Sequence, residues 1–278
     1  MQTARQSSAR DIHIMGDKKM WLFYFDDGVT AEPYQKEKCP YEIPKLRDII
    51  KLFDNGLYRT DRSRFLGDFF ELMAICISNQ VDRRPSVWAA REARFEEIKK
   101  AYDKREFELF QKMFAEVYKL CSSVVYENGA FADYLGEFYM QSNTSNAKLG
   151  QFFTPYHVSK LCAKATITKE DVLRKAAEGG ILTINDPCCG SGGMLLAALD
   201  VIGNDYGINY ADKVFISCGD IDRRCVHMCY IQLSLAGVPA IIKQQNALSR
   251  ELYDVWKTPA YIFQYIKFRK FEDCILNG

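Results

Sequence analysis

Apolar positions change their period partway along the chain. From residue 41 to about residue 142 they recur three and four apart, the spacing of one helix face. Leu46, Ile49, Ile50 and Phe53 make the first stripe, with Pro44 where a first turn tolerates it and Gly56 at a natural stop. Phe65, Phe69, Leu72 and Ile75 or Cys76 make a second. A longer pattern runs from Val87 to about Ser122. Its alternating charges, Arg94-Phe95-Glu96-Glu97-Ile98-Lys99-Lys100, suit a solvated helix face. The Phe107, Phe110, Phe114 stripe reads as core, and Phe131–Met140 as a further short helix. Residues 141–150 are small and polar, which predicts a loop and a domain boundary. Beyond them, strand-length runs at 181–185, 213–218 and 239–244 alternate with helix-like runs at 192–203 and 222–236. Strands alternating with helices predict a mostly parallel α/β sheet. The expected organisation is an uncertain segment 1–40, a helical domain 41–145 and an α/β domain 146–278. In the first segment Trp21-Leu22-Phe23-Tyr24-Phe25 suits either a short strand or a helix start.

Composition narrows the function classes. A 48% hydrophobic content over 278 residues supports a real core, and a net charge of +1 gives no global signal for nucleic acid. No apolar run approaches the ~20 residues that span a bilayer, and Met1-Gln2-Thr3-Ala4-Arg5 lacks the form of a signal peptide. Of the ten cysteines, Cys76, Cys121, Cys162, Cys225 and Cys229 sit in apolar or helical contexts. They read as small hydrophobes of a reduced, cytoplasmic protein. Cys225 and Cys229 share a helix face but His227 points elsewhere, so packing is expected there and no metal.

The chemistry centres on Asp186-Pro187-Cys188-Cys189-Gly190-Ser191-Gly192-Gly193. The octet joins the β-branched run Ile181–Asn185 to the helix-like run Met194–Leu199. Glycines let a ligand approach the main chain, and the first helical turn offers free N–H groups. The strand-end acid can receive an ammonium. No lysine follows, as a phosphate-binding P-loop needs, and the glycine spacing is not that of a dinucleotide fingerprint. An amino acid attached to a nucleoside fits better than a phosphate does. A second strand ends in Gly219-Asp220-Ile221-Asp222. Such an acid can accept ribose hydroxyls; Asp220 is favoured for that and Asp222 for capping the next helix. A third strand leads to Asn246-Ala247, where Asn246 can read an adenine edge or simply make a turn. Upstream lies Gly150-Gln151-Phe152-Phe153-Thr154-Pro155. Thr154 can cap the following helix with Pro155 at its first position, while the paired phenylalanines can wall a pocket.

Taken together, Gly-Gln-Phe-Phe-Thr-Pro, Asp-Pro-x-Cys-Gly-Ser-Gly-Gly and Gly-Asp-Ile-Asp resemble the adenine-N6 DNA methyltransferases, most nearly the modification subunits of type I restriction systems. Tyr134–Met140 is similar to that group's N-terminal region, and the likeness covers roughly residues 45–250. It implies a Rossmann-like S-adenosylmethionine-binding fold and a site-specific adenine DNA methyltransferase. The cofactor set it implies is Gln151, Phe152, Phe153, Thr154, Asp186, Pro187, Cys188, Gly190, Ser191, Gly192, Asp220, Ile221, Asn246 and Ala247. Phe153 and Thr154 would touch the methionine end, Asp186 its ammonium, Asp220 the ribose and Asn246 the adenine. The family usually has Asp at this last position.

One family element has no counterpart. The Asn/Asp-Pro-Pro-Tyr/Phe motif accepts the hydrogens of a flipped adenine's amine and stacks on the base, and no Pro-Pro pair occurs in this chain. The nearest substitute is Thr258-Pro259-Ala260-Tyr261, expected to act through the Thr258 hydroxyl and Tyr261 ring, with one more strand at 260–268. So short a tail predicts an incomplete sheet, whose open edge a specificity or restriction subunit, or a second copy, can cover. DNA is the expected partner and no membrane is expected. The alternative is a homologue that binds the cofactor without methyl transfer and regulates or imitates a modification system.

Overall fold

The computed structural model describes residues 46–126, 130–142 and 153–276. Five helices come first: α1 (Leu46–Gly56), α2 (Arg62–Val81), α3 (Pro85–Lys100), α4 (Lys104–Tyr126) and α5 (Tyr134–Gln141). Local chemistry sets their limits. Asp61 accepts the Arg64 amide at the start of α2, and Pro85 opens α3. The run expected as one helix from Val87 to Ser122 is two. Asp103 accepts the Glu106 amide at 2.9 Å and so starts α4 afresh, while the Tyr102 hydroxyl reaches Asp68 at 2.6 Å. An aromatic core binds these helices. Phe65 stacks on Phe110 at 4.2 Å, and Phe53, Phe69, Phe70 and Phe138 are buried around them.

Then come α6 (Tyr156–Thr166), α7 (Lys169–Ala177), β1 (Leu182–Asp186), α8 (Gly193–Asp200), a π-helical turn (Val201–Asp205), α9 (Tyr210–Lys213), β2 (Val214–Asp220), α10 (Arg223–Leu235) and β3 (Ala240–Gln245). β4 (Leu252–Lys257), α11 (Pro259–Phe263) and α12 (Tyr265–Leu276) finish the described chain. Strand order is β1-β2-β3-β4. β1, β2 and β3 are parallel, with Asp186 beside Cys218 and Asp220 beside Gln244. β4 returns antiparallel to β3, so the sheet is mixed rather than wholly parallel. The fold is α/β and Rossmann-like, preceded by a helical region. The strand expected at 260–268 is helical, because Thr258 and Pro259 form a helix start. The added strand is β4, whose alternation the sequence hides behind three exposed residues, Leu252, Tyr253 and Asp254.

Both faces of β2 and β3 are covered. α10 packs on one, bringing Cys229 to Cys218, and it also packs on α2. On the other, Phe215 and Ile241 meet Tyr261 and Phe268. β1 is covered less, and Thr183 and Asn185 remain exposed. Arg91 ties α3 to the sheet. It donates to the Val255 carbonyl at 3.0 Å and its guanidinium lies 3.9 Å from the Trp256 ring centroid. No helix among the described residues is long and apolar enough to cross a membrane.

Candidate functional site

The octet forms the turn from β1 into α8, at the end of the sheet where the parallel strands terminate. Asp186 accepts the Cys188 amide at 3.0 Å, and Cys189 N–H donates to Gly219 O at 2.8 Å, tying the loop to the end of β2. Gly190 has φ of 54° and Gly192 of 96°, values that L side chains rarely adopt. Each is also closely approached. A Cβ on Gly190 would lie 3.2 Å from the Phe153 ring, and one on Gly192 would lie 3.0 Å from the Cys229 sulfur. The Phe153 ring therefore lies directly against the loop at Gly190. Pro187 and Cys188 are exposed, whereas Ser191 is buried with its hydroxyl donating to Asp133.

Asp220 bridges the two strand ends. One carboxylate oxygen accepts the Gly190 amide at 3.0 Å and the other the Asp222 amide at 2.9 Å. Burial pushes this carboxyl above its ordinary range, against the pull of those amides. A carboxylate has about four acceptor positions, so these amides leave capacity for a further donor. Asp222 caps α10 through the Arg224 amide at 2.8 Å, and Ile221 beside it is 59% exposed, an apolar surface at the lip of the strand ends. Asn246 makes the turn from β3 to β4. Its side-chain oxygen accepts Leu248 N–H at 2.9 Å and Ser249 N–H at 3.2 Å. The turn alternative thus describes its geometry, with Ala247 exposed beside it. Thr154 does not cap α6; Pro155 is the residue before the first turn, and no side chain caps it. Gln151 and Phe152 lie outside the described residues.

Beneath the loop, three thiols meet. The sulfurs of Cys189, Cys218 and Cys229 lie within 4.8 Å of one another, with Cys218 and Cys229 3.7 Å apart. The three thiols hydrogen-bond among themselves: the other two sulfurs together with burial hold the Cys189 thiol well above its ordinary range, while, against the pull of burial, hydrogen bonds from Cys189 and Cys229 draw the Cys218 thiol below its own. Cys229 thus finds its partners in β2 and the glycine loop, while His227 packs against Trp256 with ring centroids 5.0 Å apart.

Thr258, Pro259 and Tyr261 lie elsewhere. Because β4 runs back along β3, Thr258 sits beside Ala240, at the start of β3, five residues from its Gln245 end. At ~3.3 Å per residue that is about 16 Å along the sheet from the strand ends that carry the loop. The Thr258 hydroxyl is fully buried, accepting Ala240 N–H at 2.9 Å and donating to Val238 O at 2.8 Å. It also caps α11, and the buried Tyr261 donates its hydroxyl to Glu272. Their side chains hold a corner of the fold, away from the glycine loop and with no face open to a base.

Two residues of the loop region escaped the sequence reading. Asp133 precedes α5 and Gln232 lies on α10; both contact Ser191. The periodic pattern marks them only as polar residues among apolar ones, which is the one signal that a buried polar tie exists.

Comparison with known proteins gives a family. Residues 129–267 match the profile of N-6 DNA methylase. The match takes in the octet, both strand-end acids and Thr258–Tyr261, and starts just ahead of α5. One solved structure from Listeria monocytogenes, described as a class I S-adenosylmethionine-dependent methyltransferase, is 16% identical with a TM-score of 0.38. The alignment covers 75% of this chain and 55% of that one, so the chain spans little more than half of that structure's length. No curated protein matches the chain. The profile spans half of the sequence, and the chain belongs to the N-6 DNA methylase family.

Proposed function

We propose that this protein binds S-adenosylmethionine at the carboxyl ends of β1 and β2 and serves the methylation of adenine N6 in DNA. The observation that carries the proposal is the cradle itself: two strand-end acids flank a positive-φ glycine loop roofed by Phe153. A sulfonium amino acid joined to a nucleoside has a matching feature for each part. Asp186 would take the ammonium. The main chain at Gly190 and Gly192 would lie against the methionine portion, Gly192 being held there by its close packing on Cys229. The spare acceptor positions of Asp220 would take ribose hydroxyls, and the exposed Ile221 would lie under the adenine. When bound, the cofactor supplies an electrophilic methyl group. The chain's own part is to orient it, with the acids holding its ends and Phe153 limiting water on one side.

The acceptor side is a separate matter. A target adenine must leave the duplex to be methylated, and Thr258 and Tyr261 are committed to packing. Their burial favours a second reading: a cofactor-binding member of the family that acts with a partner, such as a specificity subunit, or regulates a modification system. β1 pairs only with β2 among the described strands, so a partner strand added at its outer edge would lie beside the cradle. A reducing, cytoplasmic setting suits the thiol trio under the loop.

Calorimetric titration with S-adenosylmethionine tests the binding, and tritiated-methyl transfer to unmethylated DNA tests the chemistry. Wild-type protein should bind, and Asp186→Ala should abolish binding. An unaltered affinity in that variant rejects the pocket assignment. Binding without transfer selects the second reading.

A further inference from the structure

We propose that Asp133 is a positioning residue for the cofactor loop: from the start of α5 it holds Ser191 and Gln232 and so fixes the main chain through Gly190–Gly192. The proposal rests on the cofactor reading of that loop given above.

The geometry is that of a junction between three segments. One Asp133 carboxylate oxygen accepts Gly136 N–H at 3.0 Å and the Gln232 side-chain amide at 2.8 Å, while the other accepts the Ser191 hydroxyl. Gln232 spends its remaining capacity on the same joint. It donates to Ser191 O at 2.8 Å and accepts Leu135 N–H at 3.1 Å. All three side chains are nearly inaccessible: 6% for Asp133, 1% for Ser191 and 2% for Gln232. The residues come from 58 and 99 positions apart in sequence, so no local turn accounts for the meeting.

The joint has little slack. A Cβ on Gly136 would come within 2.2 Å of the Asp133 carboxylate and 2.5 Å of the Ser191 hydroxyl oxygen, and one on Gly193 within 2.8 Å of the same carboxylate. Two glycines, one at each side, therefore let α5 and the head of α8 close on one carboxylate.

Burying that carboxylate is costly and pushes its pKa up, and three donors offset the cost. Apolar side chains would fill the space without that expense. What a carboxylate adds is direction. It turns the Ser191 side chain inward, which leaves the outer side of the turn to Gly190 and bare main chain. The same acid ties the loop to α5, so the helical region and the cradle share one anchor.

Hydrogen exchange on the full-length protein, without ligand, reads the joint directly. In Asp133→Ala, amides of residues 189–193 should exchange at least ~10-fold faster, while those of α2 and α4 stay as in wild type. Asp133→Asn keeps an acceptor oxygen and offers an N–H towards the Ser191 oxygen; it should remain within ~3-fold of wild type. Should the alanine variant not fold, Ser191→Ala removes only the hydroxyl and should loosen the same five amides. Unchanged loop exchange in whichever variant folds, or a uniform acceleration everywhere, overturns the proposal. S-adenosylmethionine affinity is the second readout, expected to fall ~10-fold in Asp133→Ala and to recover in Asp133→Asn. A loosened loop in a protein whose wild type does not bind the cofactor would retire the cofactor reading and leave the Asp133 anchor standing. Cofactor binding with unaltered loop exchange would do the reverse.

Discussion

Replacing Gly190 by alanine separates backbone strain from damage to the cradle, provided a second glycine serves as control. Gly190 has φ of 54° and Gly179 of 68°, so an alanine at either meets the left-handed penalty of about 1–2 kcal/mol. Part of that is offset, because alanine also restricts the unfolded chain by about 0.4–1 kcal/mol. A net loss near 1 kcal/mol is expected at both. Their surroundings differ. Nothing lies within 4 Å of a Cβ on Gly179, whereas on Gly190 it meets the Phe153 ring at 3.2 Å. The ring must shift a few tenths of an ångström, which adds a fraction of a kcal/mol to instability. The same methyl group projects where the cofactor should lie. Urea denaturation should therefore rank the variants close together, within about 1 kcal/mol of each other. Calorimetry should set them apart: Gly179→Ala binds S-adenosylmethionine as wild type does, and Gly190→Ala binds at least ~10-fold more weakly, a difference of about 1.4 kcal/mol. Equal affinity in the two variants would refute the placement of the ligand against this turn. A stability gap of several kcal/mol would instead mean that Phe153 is packed too rigidly to give way.

Other consequences are open to test. Burial lowers the His227 pKa to about 3, while the unfolded chain takes up that proton near 6.5; stability is thus lost as pH falls, by about 2 kcal/mol between pH 7 and pH 5. His227→Gln should remove that part of the pH slope in chemical denaturation, and an unchanged slope would show that the imidazole is not buried neutral. Thr258→Val leaves the buried Ala240 N–H unpaired and should cost about 1–3 kcal/mol of stability, with cofactor affinity unchanged. If methyl transfer is detected, its rate per folded molecule should be unchanged too; a specific loss of rate would return Thr258 to the catalytic centre.

What was legible in the sequence follows from the range of each interaction. The octet, its strand and its helix are contiguous, so periodicity and glycine spacing suffice to place the turn. The capping role of Asp222 is equally local, spanning two residues. The break between α3 and α4 is local too, yet Asp103 sits inside a run whose apolar period continues across it, and the continuing pattern masks the cap. The partners of Asp133 and of Cys189 are set by tertiary packing. A single sequence carries no trace of which polar residue meets which. Asn246 shows the limit from the other side: turn former and base reader share one residue type, and only the loop hydrogen bonds describe what the side chain does in this state.

The direction of β4 decides how Thr258-Pro259-Ala260-Tyr261 is to be understood. Had the chain crossed over after β3 to make another parallel strand, residues following that strand would emerge beside Asp186 and Asp220. The turn at 246–251, with Arg250 at φ 61°, instead folds the chain back on β3. Every residue of β4 then carries it away from the strand ends, and Thr258 arrives level with Ala240. Distance from the cradle is thus a consequence of topology, and no side-chain rotation restores it. On the proposed function, the acceptor amine of a DNA base beside the cofactor would have to meet other groups. One place beside the cradle is β1, whose residues Thr183 and Asn185 are exposed and whose outer edge pairs with no described strand. Crosslinking from a cysteine placed at Asn185 tests this. With DNA or a partner subunit present, capture should exceed that from a cysteine at Tyr253 on β4. Equal capture at the two positions would leave the β1 edge with no special role.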